Sequence, residues 1–313
     1  MSRRVLISGS IAYDTIMVFE GHFKDHILPD RVHMLNVSFL TPRLKREFGG
    51  CAANIAYNLR LLGGEPVILA TVGHDASGYV ERIAAMGIDT THVARLEDHF
   101  TAQAFITTDL ADNQIIAFHP GAMSHAHLVR ASGALPAALG IVAPNGKDAM
   151  IQHAREFRDA GLPFVFDPGQ GLPMFDGSEL RDLIESATAV TVNDYEARML
   201  CERTGWNEAK VASRVQALIV TLGAEGSMLW SAAGSEAILP CRTSEAIDPT
   251  GCGDAFRGGL LYGIAQGWAW SQAARLGSVL GAVKIEHQGA QNHAFDREEI
   301  ASRFALAYGD RPW

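Results

Sequence analysis

The sequence predicts a three-layer, doubly wound α/β core with a mostly parallel sheet and a small β-sheet lid. Three observations predict it. Near-continuous apolar runs alternate with helix-period segments over most of the 313 residues, as strands of a parallel sheet do when helices cover both faces. Two stretches, 13–48 and 100–120, instead alternate apolar and polar residues, the pattern of half-exposed strands. The length, at roughly 150 residues per domain, accommodates two such units.

In chain order, the buried strands fall at 5–11, 66–72, 140–144, 163–167, 189–193 and 217–222. Helical periodicity fills 52–62, 76–86, 147–160, 178–186 and 194–204, then runs through 254–266, 270–287 and 297–307. The lid takes its strands from 13–19, 32–40, 102–108 and 114–118. The core is therefore discontinuous: 1–12, 49–99 and 121–313 form it, and 13–48 with 100–120 form the lid. No repeat, low-complexity tract or flexible linker interrupts the chain, so lid and core are expected to move as hinged parts.

Composition narrows the function. Lys and Arg number 26 against 35 Asp and Glu, a net charge of −9. That argues against nucleic acid as a partner, which needs a basic stripe. No run of about 18 apolar residues offers a membrane span. Cys51, Cys201, Cys241 and Cys252 have neither zinc-site spacing nor the density of a disulfide framework. The chain reads as a soluble, reduced, cytoplasmic protein. An acidic protein that handles phosphate must rely on local backbone N–H groups, a few cations or bound metal.

One segment supplies such groups. Asp248-Pro249-Thr250-Gly251-Cys252-Gly253-Asp254-Ala255-Phe256 ends an extended stretch and opens a helix whose apolar period continues through Leu260 and Ile264. Unpaired N–H groups and the helix dipole there favour an anion, and glycine lets the backbone approach a phosphate closely. Asp254 sets a carboxylate beside that site, suited to taking a proton from an attacking hydroxyl. The spacing is neither a Walker A loop nor a dinucleotide fingerprint. Gly140 to Asp148 also fails as a Walker A loop, with the wrong interval to Gly146 and Asp148 in place of Ser or Thr. A Cys252 nucleophile is a competing reading, weakened because no His is placed by sequence to activate it. A tight turn with an Asp N-cap is the plainest one.

The stretch from Asp248 to Asp254 resembles the second signature of the ribokinase-like (phosphofructokinase-B, PfkB) carbohydrate kinase family. Gly49-Gly50-Cys51-Ala52-Ala53-Asn54, followed by Leu59 and Leu62-Gly63-Gly64, resembles the first. The motifs span the chain in family order. The resemblance implies a ribokinase-like fold and an ATP-dependent kinase, with Asp254 as base and the amides of Gly251, Cys252 and Gly253 as the anion hole. It implies that Asp14, with Ser10, Gly49, Gly50 and Asn54, holds the acceptor. Asn193, Thr221, Gly223 and Gly226 would line the ATP side. Glu196, in Asn193-Asp194-Tyr195-Glu196, would meet Mg²⁺ through water. Asp248 would neighbour a monovalent cation, K⁺, and His287-Gln288-Gly289-Ala290 would line that cation or the adenine.

The finer match is to bacterial adenosine-kinase-like nucleoside kinases. It rests on Gly9-Ser10-Ile11-Ala12-Tyr13-Asp14, Val37-Ser38-Phe39-Leu40, Phe118-His119-Pro120-Gly121-Ala122-Met123, the Asn193 to Glu196 element and Thr204-Gly205-Trp206. Ala12 replaces the Asn of typical ribokinases, which argues against ribose. By this resemblance Ser38 and Phe118 contact a purine. Ala104 and Met174 stand where mycobacterial-type enzymes carry an aromatic and an Arg, so Phe105 compensates or the pocket is more open. The expected reaction is ATP-dependent phosphorylation of the 5′-hydroxyl of a purine ribonucleoside, whether adenosine, inosine or guanosine. One alternative is a sugar kinase of the same family acting on ribose or a hexose phosphate. Another is a non-catalytic nucleoside-binding regulator, against which an intact Asp254 argues. Related lids pair, so the resemblance extends to a homodimer.

Overall fold

The computed structural model describes residues 3–27 and 36–313. Its strands, in chain order, are β1 (Arg4–Ser8), β2 (Ala12–Val18), β3 (Arg43–Gly49), β4 (Glu65–Gly73), β5 (Val93–Leu96), β6 (Ala102–Thr108) and β7 (Gln114–His119). They continue as β8 (Leu139–Val142), β9 (Phe164–Phe166), β10 (Ala189–Asn193), β11 (Ala217–Thr221), β12 (Ser227–Ser231) and β13 (Gly234–Ile238). The helices are α1 (Cys51–Leu61), α2 (Ser77–Ala85), α3 (Lys147–Asp159), α4 (Gly177–Ser186) and α5 (Asp194–Thr204). Then come α6 (Glu208–Ala212), α7 (Cys252–Ala265), α8 (Trp270–Ile285) and α9 (Arg297–Tyr308).

Among the described residues the central sheet runs β13-β12-β11-β10-β9-β8-β1-β4-β5. Its pairs are parallel from β5 to β11, and β12 and β13 close one edge as antiparallel strands. Both faces are buried, as the apolar runs require. Val5 and Ile7 of β1 join one core cluster with Ile55, Leu59, Leu260 and Leu280. Leu6 joins the opposite cluster with Phe157, Leu180 and Leu200. Each such side chain contributes about 1.5–3 kcal/mol when fully buried.

The six core strands and eight helices expected from periodicity are all present, with ends shifted by a few residues. The edge strands β5, β12 and β13 and the short α6 were not expected. The small sheet has order β3-β2-β6-β7, with β2·β3 and β6·β7 antiparallel and β2·β6 parallel. One of its strands corrects the expectation of 32–40. Residues 32–35 lie outside the described residues, 36–40 form no strand, and the strand is Arg43–Gly49 instead.

The sheet order positions the site. The order of strand addition reverses at β1, with β4 and then β5 on one side and β8 on the other, all parallel to it. Ligands of open α/β sheets bind beyond the carboxyl ends of strands near such a point. Ser10 follows β1, Asp167 follows β9, Asn193 ends β10 and Thr221 ends β11, so all four meet at that edge. No helix is long and apolar enough to cross a membrane among the described residues.

Candidate active site

The turn before α7 is built as the glycines suggest. Gly251 caps the helix in the left-handed region, φ 79°, and a Cβ there would come within 2.7 Å of the Ala290 Cβ. The first N–H groups of a helix lack intrahelical acceptors. The Cys252 N–H, however, donates to the Pro249 carbonyl at 3.2 Å. Of the three amides expected to form an anion hole, that of Cys252 is thus engaged within the turn. The Cys252 thiol lies 3.9 Å from the Asp248 carbonyl, and burial pushes it up to about 11. That adds to the case against Cys252 as a nucleophile, which needs a thiolate.

Asp254 stands on the first turn of α7, where its Oδ2 accepts from Asn54 Nδ2 at 2.8 Å. Burial pushes its carboxyl up to about 7, against the pull of the Asn54 bond and the Arg257 guanidinium. Asn54 is itself held, because Gln291 Nε2 donates to its Oδ1 at 2.8 Å. Gln291 is oriented by Tyr79 at 2.6 Å and by Arg82, which donates to its Oε1 at 2.7 Å. Asn54, expected to bind the acceptor, is thus largely occupied in aligning Asp254. One turn further on, Arg257 makes a bidentate pair with Asp167, at 2.8 and 3.1 Å, with both side chains nearly buried.

Arg257, Asp167, Gln291 and Lys284 were not singled out from the sequence. Arg257 and Lys284 did leave a signal. Arg257 is the lone cation of its helix and Lys284 stands in the apolar last turns of its own, where a charge must find a buried partner.

Asp14 lies across the crevice on β2. A Cβ on Gly49 would stand 2.5 Å from its Oδ2, so the glycine is what admits the carboxylate. Burial raises Asp14 to about 6, and Glu47 and Asp248 add to the rise. Strand register then sets a row across one face of the small sheet: Glu47, Asp14, Ala104, Phe118. With strands about 4.8 Å apart, Asp14 and Phe118 sit roughly 10 Å from one another. Only the methyl of Ala104 lies between. Phe118 is 52% exposed, so it is not a core residue. Phe105 pairs with Thr15 and Ala117 and therefore points to the opposite face. It cannot compensate for Ala104, and the row is open.

Two expected contacts have other surroundings. The Ser10 hydroxyl accepts the Cys51 N–H at 3.1 Å, at the start of α1. Ser38 is exposed on an irregular segment pinned by Phe39 against Phe19 and Phe23. Among the described residues no contact joins it to the row. Met174 is exposed near the end of a short 3₁₀ turn.

On the other side of Asp254 a cavity of about 510 Å³ is lined by Thr221, Gly223, Gly226, Cys252, Gly253 and Phe256. It brings three of the four residues expected on the nucleotide side, all but Asn193, to the turn that opens α7. Asn193 and Glu196 form a reciprocal capping box, each bond 2.8 Å, which starts α5. Burial, with Asp167 adding, raises the Glu196 carboxyl. Among the described residues no three His, Cys, Asp or Glu side chains gather to cage a metal. A single carboxylate near a phosphate site suits Mg²⁺, which keeps several waters and arrives with the nucleotide. K⁺ fits less well. Asp248 Oδ1 accepts from Thr250 N at 2.9 Å, its Oδ2 from Gly289 N at 2.7 Å and Gln288 Nε2 at 3.0 Å, and its carbonyl from Lys284 at 2.7 Å. Its oxygens are already engaged.

Comparison with known proteins gives the family. The model of the pfkB family carbohydrate kinases matches residues 4–296. A nucleoside kinase of Burkholderia thailandensis in complex with inosine is 54% identical, with TM-score 0.89 and coverage of 98% of this chain and 99% of that one. The same protein in complex with ADP-inosine gives TM-score 0.87 at 56% identity, covering 98% and 97% of the two chains. A nucleoside kinase of Methanocaldococcus jannaschii is 28% identical over 271 residues, 86% of this chain and 89% of that one.

Proposed function

We propose that this chain, which belongs to the pfkB family of carbohydrate kinases, transfers the γ-phosphoryl group of ATP to the 5′-hydroxyl of a purine ribonucleoside. The products are the 5′-monophosphate and ADP. The observation that carries the acceptor assignment is the row Asp14, Ala104, Phe118. A carboxylate accepts hydrogen bonds from two neighbouring ribose hydroxyls. About 10 Å away, an exposed ring offers a purine a stacking face, with nothing bulkier than a methyl between. The openness at Ala104 supports tolerance of the base, so inosine and guanosine are expected to react as well as adenosine. The Burkholderia relative bound to inosine supports the same reading.

The proposed chemistry follows from the other half of the site. Asp254, ionised above about 7 and held by Asn54, accepts the 5′-hydroxyl proton as oxygen attacks phosphorus. The amides of Gly251 and Gly253 receive the charge on the transferring group. Nucleotide occupies the cavity beside Thr221, Gly223 and Gly226. Bound Mg²⁺ would neutralise phosphate charge, with Glu196 holding one of its waters. Closure of the small sheet over the crevice, as a lid of 13–48 and 100–120, excludes water and limits ATP hydrolysis. The protein would act in the cytoplasm in salvage of purine nucleosides.

A panel of adenosine, inosine, guanosine, uridine, ribose and fructose 6-phosphate with ATP and Mg²⁺ tests the reading. Purine nucleosides are expected to dominate kcat/KM. Turnover of ribose or the hexose phosphate, with none of the nucleosides, replaces it with the sugar-kinase alternative.

A further inference from the structure

Lys284 is the last cation on α8 and its side chain is fully buried, 0% exposed. A buried lysine must be compensated, yet among the described residues no carboxylate forms an ion pair with it. Its Nζ donates instead to two main-chain carbonyls, Asp248 at 2.7 Å and His287 at 2.9 Å. Burial pulls its pKa down while nearby Asp248 and Cys252 push it up. The groups around it are the ones that resemblance assigns to a K⁺ ion, namely Asp248 and the loop from His287 to Ala290. Carbonyl oxygens are the donors a hard monovalent cation takes, and ammonium is close to K⁺ in size and charge. Here both carbonyls already accept from Lys284, and the Asp248 carboxylate already accepts from Thr250, Gly289 and Gln288.

We infer that the ammonium of Lys284 is a built-in monovalent cation for the anion-hole turn, so that the enzyme works without added K⁺. It ties the Asp248 carbonyl, where the turn to Gly253 begins, to the loop that follows α8. It also places one fixed positive charge under the residues that face the phosphate, where a bound ion would be the largest local charge. In an acidic chain of net charge −9, that charge cannot be lost to dilution or competition. Lys284 is a positioning residue and touches neither substrate nor phosphate.

This inference goes beyond the proposed reaction and its test separates the two. In wild-type enzyme, replacing K⁺ by tetramethylammonium at constant ionic strength is expected to leave both the Tm and the turnover of inosine with ATP and Mg²⁺ unchanged. Lys284→Ala, which opens the site, is expected to lose about 100-fold in kcat, the scale of removing one anion-hole interaction. Part of that loss should return on adding K⁺ or NH₄⁺, with a rise in Tm from ion binding. Lys284→Met, which fills the space without charge, should show no such rescue. A wild-type enzyme whose turnover or Tm falls on withdrawal of K⁺ overturns the inference, as does a K284A variant at full activity without K⁺. The wild-type measurements decide the matter even where a variant fails to fold. The Tm comparison needs no substrate, so it stands even where nucleosides prove not to be the acceptors.

Discussion

The two sides of the crevice are built by opposite means. The Asp254 side is made of buried polar groups with every described partner in place: Asn54, Gln291, the Arg257–Asp167 pair and the Lys284 carbonyl bonds. The Asp14 side is a row on a small sheet whose outer strand β7 is exposed throughout. On the proposed function, the first side is fixed before a ligand arrives and the second is completed by one. Phosphoryl transfer depends on placing charge to within tenths of an ångström, which a buried network can do. Base recognition by stacking tolerates looser geometry and gains from an open face.

Four expectations would break or sharpen that contrast. The largest effect belongs to Asp254→Asn, which should lower kcat by about 10²–10⁴ while equilibrium dialysis still detects nucleoside binding. Near-normal turnover would remove Asp254 as base. Next is Arg257→Met, which leaves Asp167 buried and unpaired. Urea unfolding should show a loss of about 3–5 kcal/mol, and a smaller loss in the double variant Arg257→Met, Asp167→Leu. Equal losses would show that the pair is not what the fold depends on.

Phe118→Ala should raise KM for purine nucleosides by the equivalent of about 1–3 kcal/mol with little change in kcat. A kcat effect in place of a KM effect would mean that the small sheet takes part in the chemistry. The smallest effect is in pH dependence. A carboxyl protonated below its pKa cannot accept a proton, so kcat/KM should rise with pH and level off above about 7, the value for Asp254. A second, steeper limb is expected below about 6, where Asp14 also protonates. The Asn54 bond lowers the Asp254 value, so Asn54→Leu should shift the upper limb to higher pH. An unmoved limb would separate Asn54 from the base.

The core was legible because buried parallel strands are apolar runs, and their lengths and spacing survive in one dimension. The strand Arg43–Gly49 was not, since four of its seven residues are exposed and four are charged, so it reads as a polar loop. Antiparallel edge strands β12 and β13 hid for a related reason. The second of them is mostly exposed and carries little apolar pattern.

The site divides in the same way. Asp254 and its glycines were legible because a helix start, the proposed phosphate approach and the proposed base compress into one contiguous segment. The partners that tune it come from far away in sequence: Asp167 reaches Arg257 from β9, and Gln291 reaches Asn54 across most of the chain. Distance in the chain erases such pairs. Phe105 shows the converse error, since adjacency to Ala104 suggested substitution whereas strand alternation sends it to the other face.

The row across the small sheet has one further consequence. Asp14 and Phe118 ride on hydrogen-bonded strands of a single sheet, whereas Asp254 belongs to the core. Any motion of the sheet carries Asp14 and Phe118 together, at constant separation, and alters only their joint distance from Asp254. If these are the sugar and base subsites of the proposed reaction, the sheet is a gauge of fixed span that tests a ligand's length before Asp254 is engaged. Selection of the acceptor and speed of transfer would then be altered by mutation independently, one within the sheet and one between sheet and core.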